Sequence, residues 1–420
     1  MNIRNTVLFF TFAPNYNLLT MKIIKSILLL SAFALSANVN AQQGIYYYVN
    51  TNQNFINSKV TDVALNDNGL VILNQCSDNK YSNHAIQIIE LNKSMVKTSE
   101  NIIDVDNLYN ICGFTSLSNG NYDVFTNIKK ANYEPVVVTV SPAYKSLEQK
   151  GFDDLTMNSI VGFVTTGEKI MVLSTSSEAK GKYDIILSCF EVANGAKQWS
   201  KKISSEPNES ADAIVADSEN NVVVLGRKYN DNGSEYIPIL YKIDGKGATI
   251  WKKSGVDMPS NFYSQTITIG SNGDIFYACG LTQRSGVLQT KIIKLDANGN
   301  TKRSSNLSEF TSNGALCLSS GKVLLYGSRF HTNNKQVVTK GAYVIVDGDL
   351  NELCNKALTE NDKPDSDFNY STTSSSDVQV AKELANGNIA MFGKVTMPQT
   401  GSKEKQNNTI VIVADAFGNY

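Results

Sequence analysis

Residues 210–229 read SADAIVADSENNVVVLGRKY, and residues 237–255, after a short polar loop, read IPILYKIDGKGATIWKKSG. Each half holds two short apolar runs separated by a turn rich in Asp, Asn and Gly. Tight hairpins need positive φ, which Gly and Asn tolerate, so the pattern predicts two consecutive β-hairpins. The run VVVL at 222–225 does not alternate with polar residues. A strand with one wet face would alternate, so this one is expected to be buried on both faces.

Six other segments can be laid over this one. The first pairs SKVTDVALNDNGLVILNQC (58–76) with HAIQIIELNKSMVKTSENI (84–102), and the last pairs SDVQVAKELANGNIAMFGKV (376–395) with NTIVIVADAFGNY (408–420). The first turn of each unit supplies a ruler at Gly69, Gly120, Gly167, Asn221, Gly273, Gly321 and Gly387, with spacings of 51, 47, 54, 52, 48 and 66 residues. A four-stranded unit recurring at that period is the signature of a β-propeller. The fold class is therefore all-β: seven four-stranded antiparallel blades, with repeats at about 58–106, 107–156, 157–209, 210–262, 263–310, 311–375 and 376–420. The second strand of other units is again an unbroken apolar run, as in LVIL (70–73), IFYA (275–278), VLLY (323–326) and IAMF (389–392). Stacking each blade between two neighbours explains that. The seventh unit stops after its third strand and turn, whereas Gly44–Asn50 (GIYYYVN) is strand-like and has no partners in its own unit. An open sheet edge is an aggregation liability, so the segment 44–50 is expected to supply the outer strand of the last blade.

The 420 residues carry a formal net charge of -1 and are 42% hydrophobic. That balance, with no Lys/Arg cluster, argues against a nucleic-acid partner. From Met21 the chain shows Lys22 and Lys25, an apolar run over 27–37, and Val39-Asn40-Ala41 as a small-residue cleavage site. The expectation is an upstream extension over 1–20, a start at Met21, cleavage near Ala41 and an exported single domain over 42–420. The apolar run is too short to span a bilayer comfortably, so no membrane span is expected after cleavage. The product would be periplasmic, cell-surface or extracellular, and a monomer. Cys76, Cys112, Cys189, Cys279, Cys317 and Cys354 are spread singly, without a CxxC pair, and are expected to be buried free thiols.

The stretches AIVADSENNVVVLG and LYKIDGKGATIWKKSG resemble the repeats of secreted bacterial β-propellers. ANGAKQW and GKGATIW are similar to the Trp-bearing turns of quinoprotein-like propellers, with Trp199 and Trp251 in equivalent places of consecutive repeats. The other five repeats lack that Trp. The resemblance implies a fold and leaves activity open, because such repeats serve binding, scaffolding and catalysis alike.

His84 and His331, the only histidines, sit between second and third strands of separate repeats, with no second ligand at metal-binding spacing. Neither a GxSxG elbow nor a glycine-rich phosphate loop is present, so no cofactor and no metal is expected. Call the strands of a blade A to D from the axis outward. The A–B and C–D connections are tight, whereas B–C and D–A connections are longer and variable, and all of the latter share one face. Loops on a rigid scaffold usually carry binding. Tyr81, Tyr133, Tyr183, Tyr229, Tyr236 and Phe330 are the candidate contacts there for a protein or glycan ligand. A propeller enzyme acting on polysaccharide is the alternative, using Asp62, Asp212 and Asp377 near the starts of A strands, at one mouth of the central channel. A third reading is an assembly factor of the cell envelope.

Overall fold

The computed structural model describes residues 42–48, 55–66, 68–117, 119–130, 132–151, 159–179, 182–192, 195–205, 208–230, 235–255, 262, 264–282, 288–333, 336–359, 374–398 and 405–420. The expected leader and upstream extension lie outside them, as does most of the polar insertion between 359 and 377. Every secondary-structure element among the described residues is a β-strand, and no helix there is long and apolar enough to cross a membrane.

The chain opens with β1 (Gly44–Tyr48) and then lays down blades in order. Blade 1 is β2 (Asn57–Asn66), β3 (Gly69–Ser77), β4 (His84–Asn92) and β5 (Lys97–Asp104). Blade 2 is β6 (Leu108–Ser116), β7 (Tyr122–Lys129), β8 (Tyr133–Val140) and β9 (Ser146–Gly151). Blade 3 is β10 (Ser159–Thr166), β11 (Lys169–Ala179), β12 (Lys182–Glu191) and β13 (Lys197–Lys202). Blade 4 is β14 (Glu209–Ala216), β15 (Val222–Tyr229), β16 (Tyr236–Ile243) and β17 (Thr249–Ser254). Blade 5 is β18 (Ser264–Ile269), β19 (Ile275–Thr282), β20 (Leu288–Leu295) and β21 (Thr301–Ser308). Blade 6 is β22 (Thr311–Cys317), β23 (Val323–Asn333), β24 (Gln336–Val346) and β25 (Glu352–Ala357). Blade 7 is β26 (Ser375–Glu383), β27 (Ile389–Pro398) and β28 (Lys405–Ala414), completed by β1.

The first strands of successive blades lie side by side around the ring, β2 on β6 and so on to β26, which meets β2 again. The expected closure by the segment 44–50 is present over its described part: β1 runs antiparallel to β28, with Gly44 opposite Val413 and Tyr48 opposite Thr409. The Tyr48 hydroxyl then donates to the Met95 carbonyl of blade 1 at 2.5 Å.

Seven buried clusters fill the ring, one between each pair of neighbouring blades. They explain the unbroken apolar runs of the B strands. Val222 and Val224 point into the seam with blade 3, while Val223 and Leu225 point into the seam with blade 5. Side chains alternate across a strand, and here both sides are interior.

The turns follow their chemistry with one adjustment. Most are three-residue loops rather than two-residue hairpins: Asp217 N–H bonds Asn221 O at 2.9 Å and Asn220 N–H bonds Asp217 O at 3.2 Å. The left-handed residue of that turn is Asn220 (φ 62), one position before the Asn221 used as the ruler. A type I turn followed by one residue in the left-handed region makes this loop, so the positive φ falls on its third residue.

The seams also settle the two tryptophans. Trp199 of β13 packs on the C–D turn of blade 4, and Trp251 of β17 packs on that of blade 5, donating from Nε1 to Ala297 O at 3.1 Å. The left-handed residues below them are Gly247 and Gly299. Where Ser99 takes the tryptophan's place, the next blade presents Tyr144, and at Arg303 it presents Leu350, both with positive φ. At the Trp/Gly and Ser/Tyr seams the large residue stands opposite a small one. A Cβ at Gly247 would fall 2.9 Å from the Trp199 ring, whereas one at Gly195 (φ 67) would meet nothing within 4 Å. Gly195→Ala is therefore expected to cost only the left-handed strain, about 1 kcal/mol. Gly247→Ala should cost at least about twice that in urea unfolding, since it also displaces the ring. Equal losses at the two sites would show that Trp199 yields freely.

Candidate functional site

The loop face is built from the ends of B and C strands. Tyr81 stands in the β3–β4 connection, where Ser82 Oγ and N–H and the N–H of Lys80 close on Asp78. These donors, Ser82 foremost, pull the Asp78 carboxyl down to about 2. Tyr133 begins β8 and lies 4.6 Å, centroid to centroid, from Tyr109, with Lys129 Nζ 5.8 Å from its ring. Tyr183 is the second residue of β12, Tyr229 ends β15 and Tyr236 begins β16. Phe330 is not in a loop: β23 and β24 continue as a hairpin arm, pairing it with Thr339. His84 and His331 likewise lie in strands, opposite Ser77 and Val338. Positions that look like loop in sequence are held here by the ladder.

Three of the predicted aromatics come together. Tyr183 and Tyr229 are 6.2 Å apart across the seam of blades 3 and 4, and Tyr229 and Tyr236 are 5.6 Å apart. Tyr236 meets the buried Phe262 edge-on at 5.0 Å, and its hydroxyl donates to the Phe262 carbonyl. Tyr81, Tyr133 and Phe330 make no ring contact with this row among the described residues.

Beneath the row is a group that the sequence did not single out. Arg227, near the end of β15, lies 5.1 Å from the Tyr236 ring and 5.2 Å from that of Phe262. Its Nε and Nη2 donate to the two carboxylate oxygens of Asp212 at 2.9 and 2.5 Å. Gln265 of blade 5 donates to the same carboxylate and, at 3.2 Å, to Gly226 O. A bidentate Arg–carboxylate pair is geometrically exacting, so it fixes the ring above it. Asp212 thus serves here as a clamp, and it occupies the bulge of β14, where one residue is unpaired against β15. The bulge turns it off the strand's alternation, which no periodicity argument could foresee.

The other two carboxylates line the axis in neighbouring blades. Asp377 is the third residue of β26 and accepts from Asn313 Nδ2 at 2.6 Å. Burial raises its carboxyl above the usual range, against the opposing pull of Lys394 and Lys59. Asp62 is the sixth residue of β2, mid-strand rather than at its start, and accepts from Phe114 N–H at 3.3 Å with Lys382 Nζ 3.4 Å away. Asp212 belongs to blade 4, on the far side of the ring. Gly113 lies under both Asp62 and Phe163, each 2.9 Å from where a Cβ would stand, and Tyr326 lies over Gly314. Burial, aided by the charge of Asp62, pushes the Tyr326 phenol up to about 12. Side chains from blades 1, 3 and 6 therefore crowd the middle of the axis. The signal for this was the glycine at the same inner-strand position in three repeats, 113, 162 and 314. A missing Cβ on an inner strand marks a close approach.

All six cysteines are free. Burial drives the thiols of Cys76 and Cys112 up to about 12, so neither is a nucleophile at neutral pH. Among the described residues no group of three or more His, Cys, Asp or Glu side chains is placed to hold a metal ion.

No family model matches the chain, and no curated protein matches it. Among solved structures it is similar to a protein of unknown function from Dyadobacter fermentans, at 9% identity and a TM-score of 0.46, covering 88% of this chain and 99% of that one. It is also similar to prolyl oligopeptidase B from Galerina marginata (12% identity, TM-score 0.43, 80% of this chain and 46% of that one). A mannose phosphorylase from Leishmania mexicana gives 11% identity and a TM-score of 0.34 over 74% of this chain and 86% of that one. At such identities these likenesses assign no activity. On its own sheet order, the chain is a seven-bladed β-propeller closed by its N-terminal strand.

Proposed function

We propose that the protein is an exported, monomeric, non-enzymatic binding propeller of the secreted bacterial kind, taking a protein or glycan ligand on its B–C/D–A loop face. One observation supports this above others: the tyrosine row on that face stands on a bidentate clamp, Arg227–Asp212, that costs the ligand little ordering. Tyr81, Tyr109, Tyr133 and Phe330 leave further aromatic surface exposed on the same side. The outer strands instead expose aliphatic residues, Leu147, Ile250 and Leu353. Tyrosine offers apolar area and a hydroxyl with few rotamers to lose, which suits recognition.

The test uses residues 42–420 immobilised against a glycan array and a displayed-peptide library. Replacing Tyr81, Tyr133, Tyr183 and Tyr229 jointly by Ala should abolish capture of whichever ligand emerges and leave the melting temperature within a degree or two. Loss of stability instead would assign these rings to packing.

A second reading, a propeller enzyme acting on polysaccharide, draws support from the placement of Asp377 and Asp62 in neighbouring blades along the axis, where burial shifts the Asp377 carboxyl upward, the direction a general acid needs. Hydrolysis of a polysaccharide that survives joint replacement of Asp62, Asp212 and Asp377 by Asn would remove this reading.

A further inference from the structure

We infer that the row Tyr183–Tyr229–Tyr236 is a subsite for a linear, hydroxyl-rich glycan chain, an inference that rests on the loop-face binding proposed above. The rings advance in two successive steps, 6.2 and 5.6 Å, tilted by 47° and then 59°. Ring centroids at such spacing match the repeat of a polymer that carries a flat, C–H-bearing ring in each unit. Amphipathic rings of this kind put an apolar face and a polar tip at the same place.

The hydroxyls complete the match. The Tyr236 hydroxyl is spent on the Phe262 carbonyl, and its ring is fixed over Arg227. Those of Tyr183 and Tyr229 have no hydrogen-bond partner among the described residues. One ring is thus a rigid anchor and the next two present unspent donors and acceptors, which a hydroxyl-bearing ligand can use at each step.

Peptide recognition by strand addition needs a feature this row lacks. A peptide that adds to a sheet requires a free strand edge. Here the backbone is paired up to the tyrosines themselves, with Ser177 opposite Tyr183 and Tyr229 opposite Tyr236. The exposed strand edges of the propeller lie on its circumference instead, on strands such as β9, β13 and β17. A folded-protein hot spot is walled off from water by surrounding contacts, whereas Tyr183 is exposed and Tyr229 and Tyr236 are only half-buried. The charge below them is closed on itself in the Arg227–Asp212 pair, so nothing in the row demands an ionic ligand.

The experiment is calorimetric titration of residues 42–420 with hexaoses of β-1,4-linked glucose, mannose and N-acetylglucosamine. At least one should bind. Tyr183→Ala with Tyr229→Ala should weaken that binding about tenfold or more, as expected for loss of two stacking faces at a hot spot, with an unchanged melting temperature. The corresponding double Phe variant should lose less, about fivefold, because it keeps the faces and gives up two hydroxyls. Absence of binding by all three hexaoses, or binding indifferent to the double Ala change, overturns the inference. If a displayed peptide is captured through the same tyrosines while no hexaose binds, the glycan assignment falls and the loop-face reading stands. If neither class binds, both fall.

Discussion

Deletion of residues 44–50 from the 42–420 chain should lower its unfolding free energy by on the order of 5 kcal/mol, at about 1 kcal/mol for each backbone hydrogen bond lost. The strand removed is short, but it holds the ring shut. All five residues of β1 are in register with β28, from Gly44 opposite Val413 to Tyr48 opposite Thr409. Tyr48 is buried in the seam between blades 7 and 1, and its hydroxyl reaches the Met95 carbonyl of blade 1. Burying one large apolar side chain adds about 2 kcal/mol. Without β1, the edge of β28 over Ile410–Val413, now fully buried, faces water and becomes a template for association. The checks are urea unfolding, the melting temperature, and size-exclusion chromatography, where the truncated chain should self-associate. Adding the peptide GIYYYVN in excess should recover part of the loss. A truncated chain that unfolds like the full one would show that closure does not depend on this strand.

The second large effect is expected at Lys252. Glu209, the first residue of β14, has a fully buried side chain that accepts from the Tyr241 hydroxyl at 2.5 Å and from Lys252 Nζ at 3.0 Å. Lys252 also donates to Ser205 Oγ at 2.5 Å and lies over the Tyr241 ring. Removing one partner of such a pair strands the other charge in the interior and costs about 3–5 kcal/mol. Lys252→Ala should therefore destabilise by that amount in urea unfolding at pH 7. Replacing both, as Lys252→Met with Glu209→Leu, should recover most of it, because an apolar pair has no charge to desolvate. If the double variant is no better than the single, the loss at Lys252 is one of packing.

The pH dependence separates these cases further. Burial alone would lower the Lys252 ammonium, but Glu209 and Tyr241 outweigh it and hold it above the ordinary lysine range. A group whose folded pKa is raised contributes fully below its unfolded value and is lost only as pH climbs through the folded one. The difference between wild type and Lys252→Ala should thus be the same at pH 7 and pH 9. A gap that narrows by pH 9 would contradict the pairing.

What could be read without coordinates follows from the range of the forces involved. Strand periodicity, turn residues and the repeat ruler are set by neighbours a few positions apart, and they predicted the seven blades. Even the closure by Gly44–Asn50 was a matter of counting strands. The same local logic failed at the turn of blade 4, where the left-handed residue is Asn220, because loop length rather than composition decides which residue takes that conformation. It also failed at Phe330 and His331, which the longer β23–β24 arm incorporates into the ladder.

The loop-face aromatics are legible from their position between apolar runs, and Tyr183, Tyr229 and Tyr236 do meet. Arg227, Phe262 and Gln265 were invisible, because their significance lies in contacts across seams. Asp212 illustrates the difference: as a strand residue it belongs at a channel mouth, yet the bulge of β14 and the guanidinium of Arg227 make it the floor of the tyrosine row. The chain's order of apolar and turn residues by itself determined seven radial sheets and the strand that joins the ends. Which side chains face one another between sheets was decided only in three dimensions, since a bulge or a one-residue shift redirects a side chain without altering the pattern that made the strand.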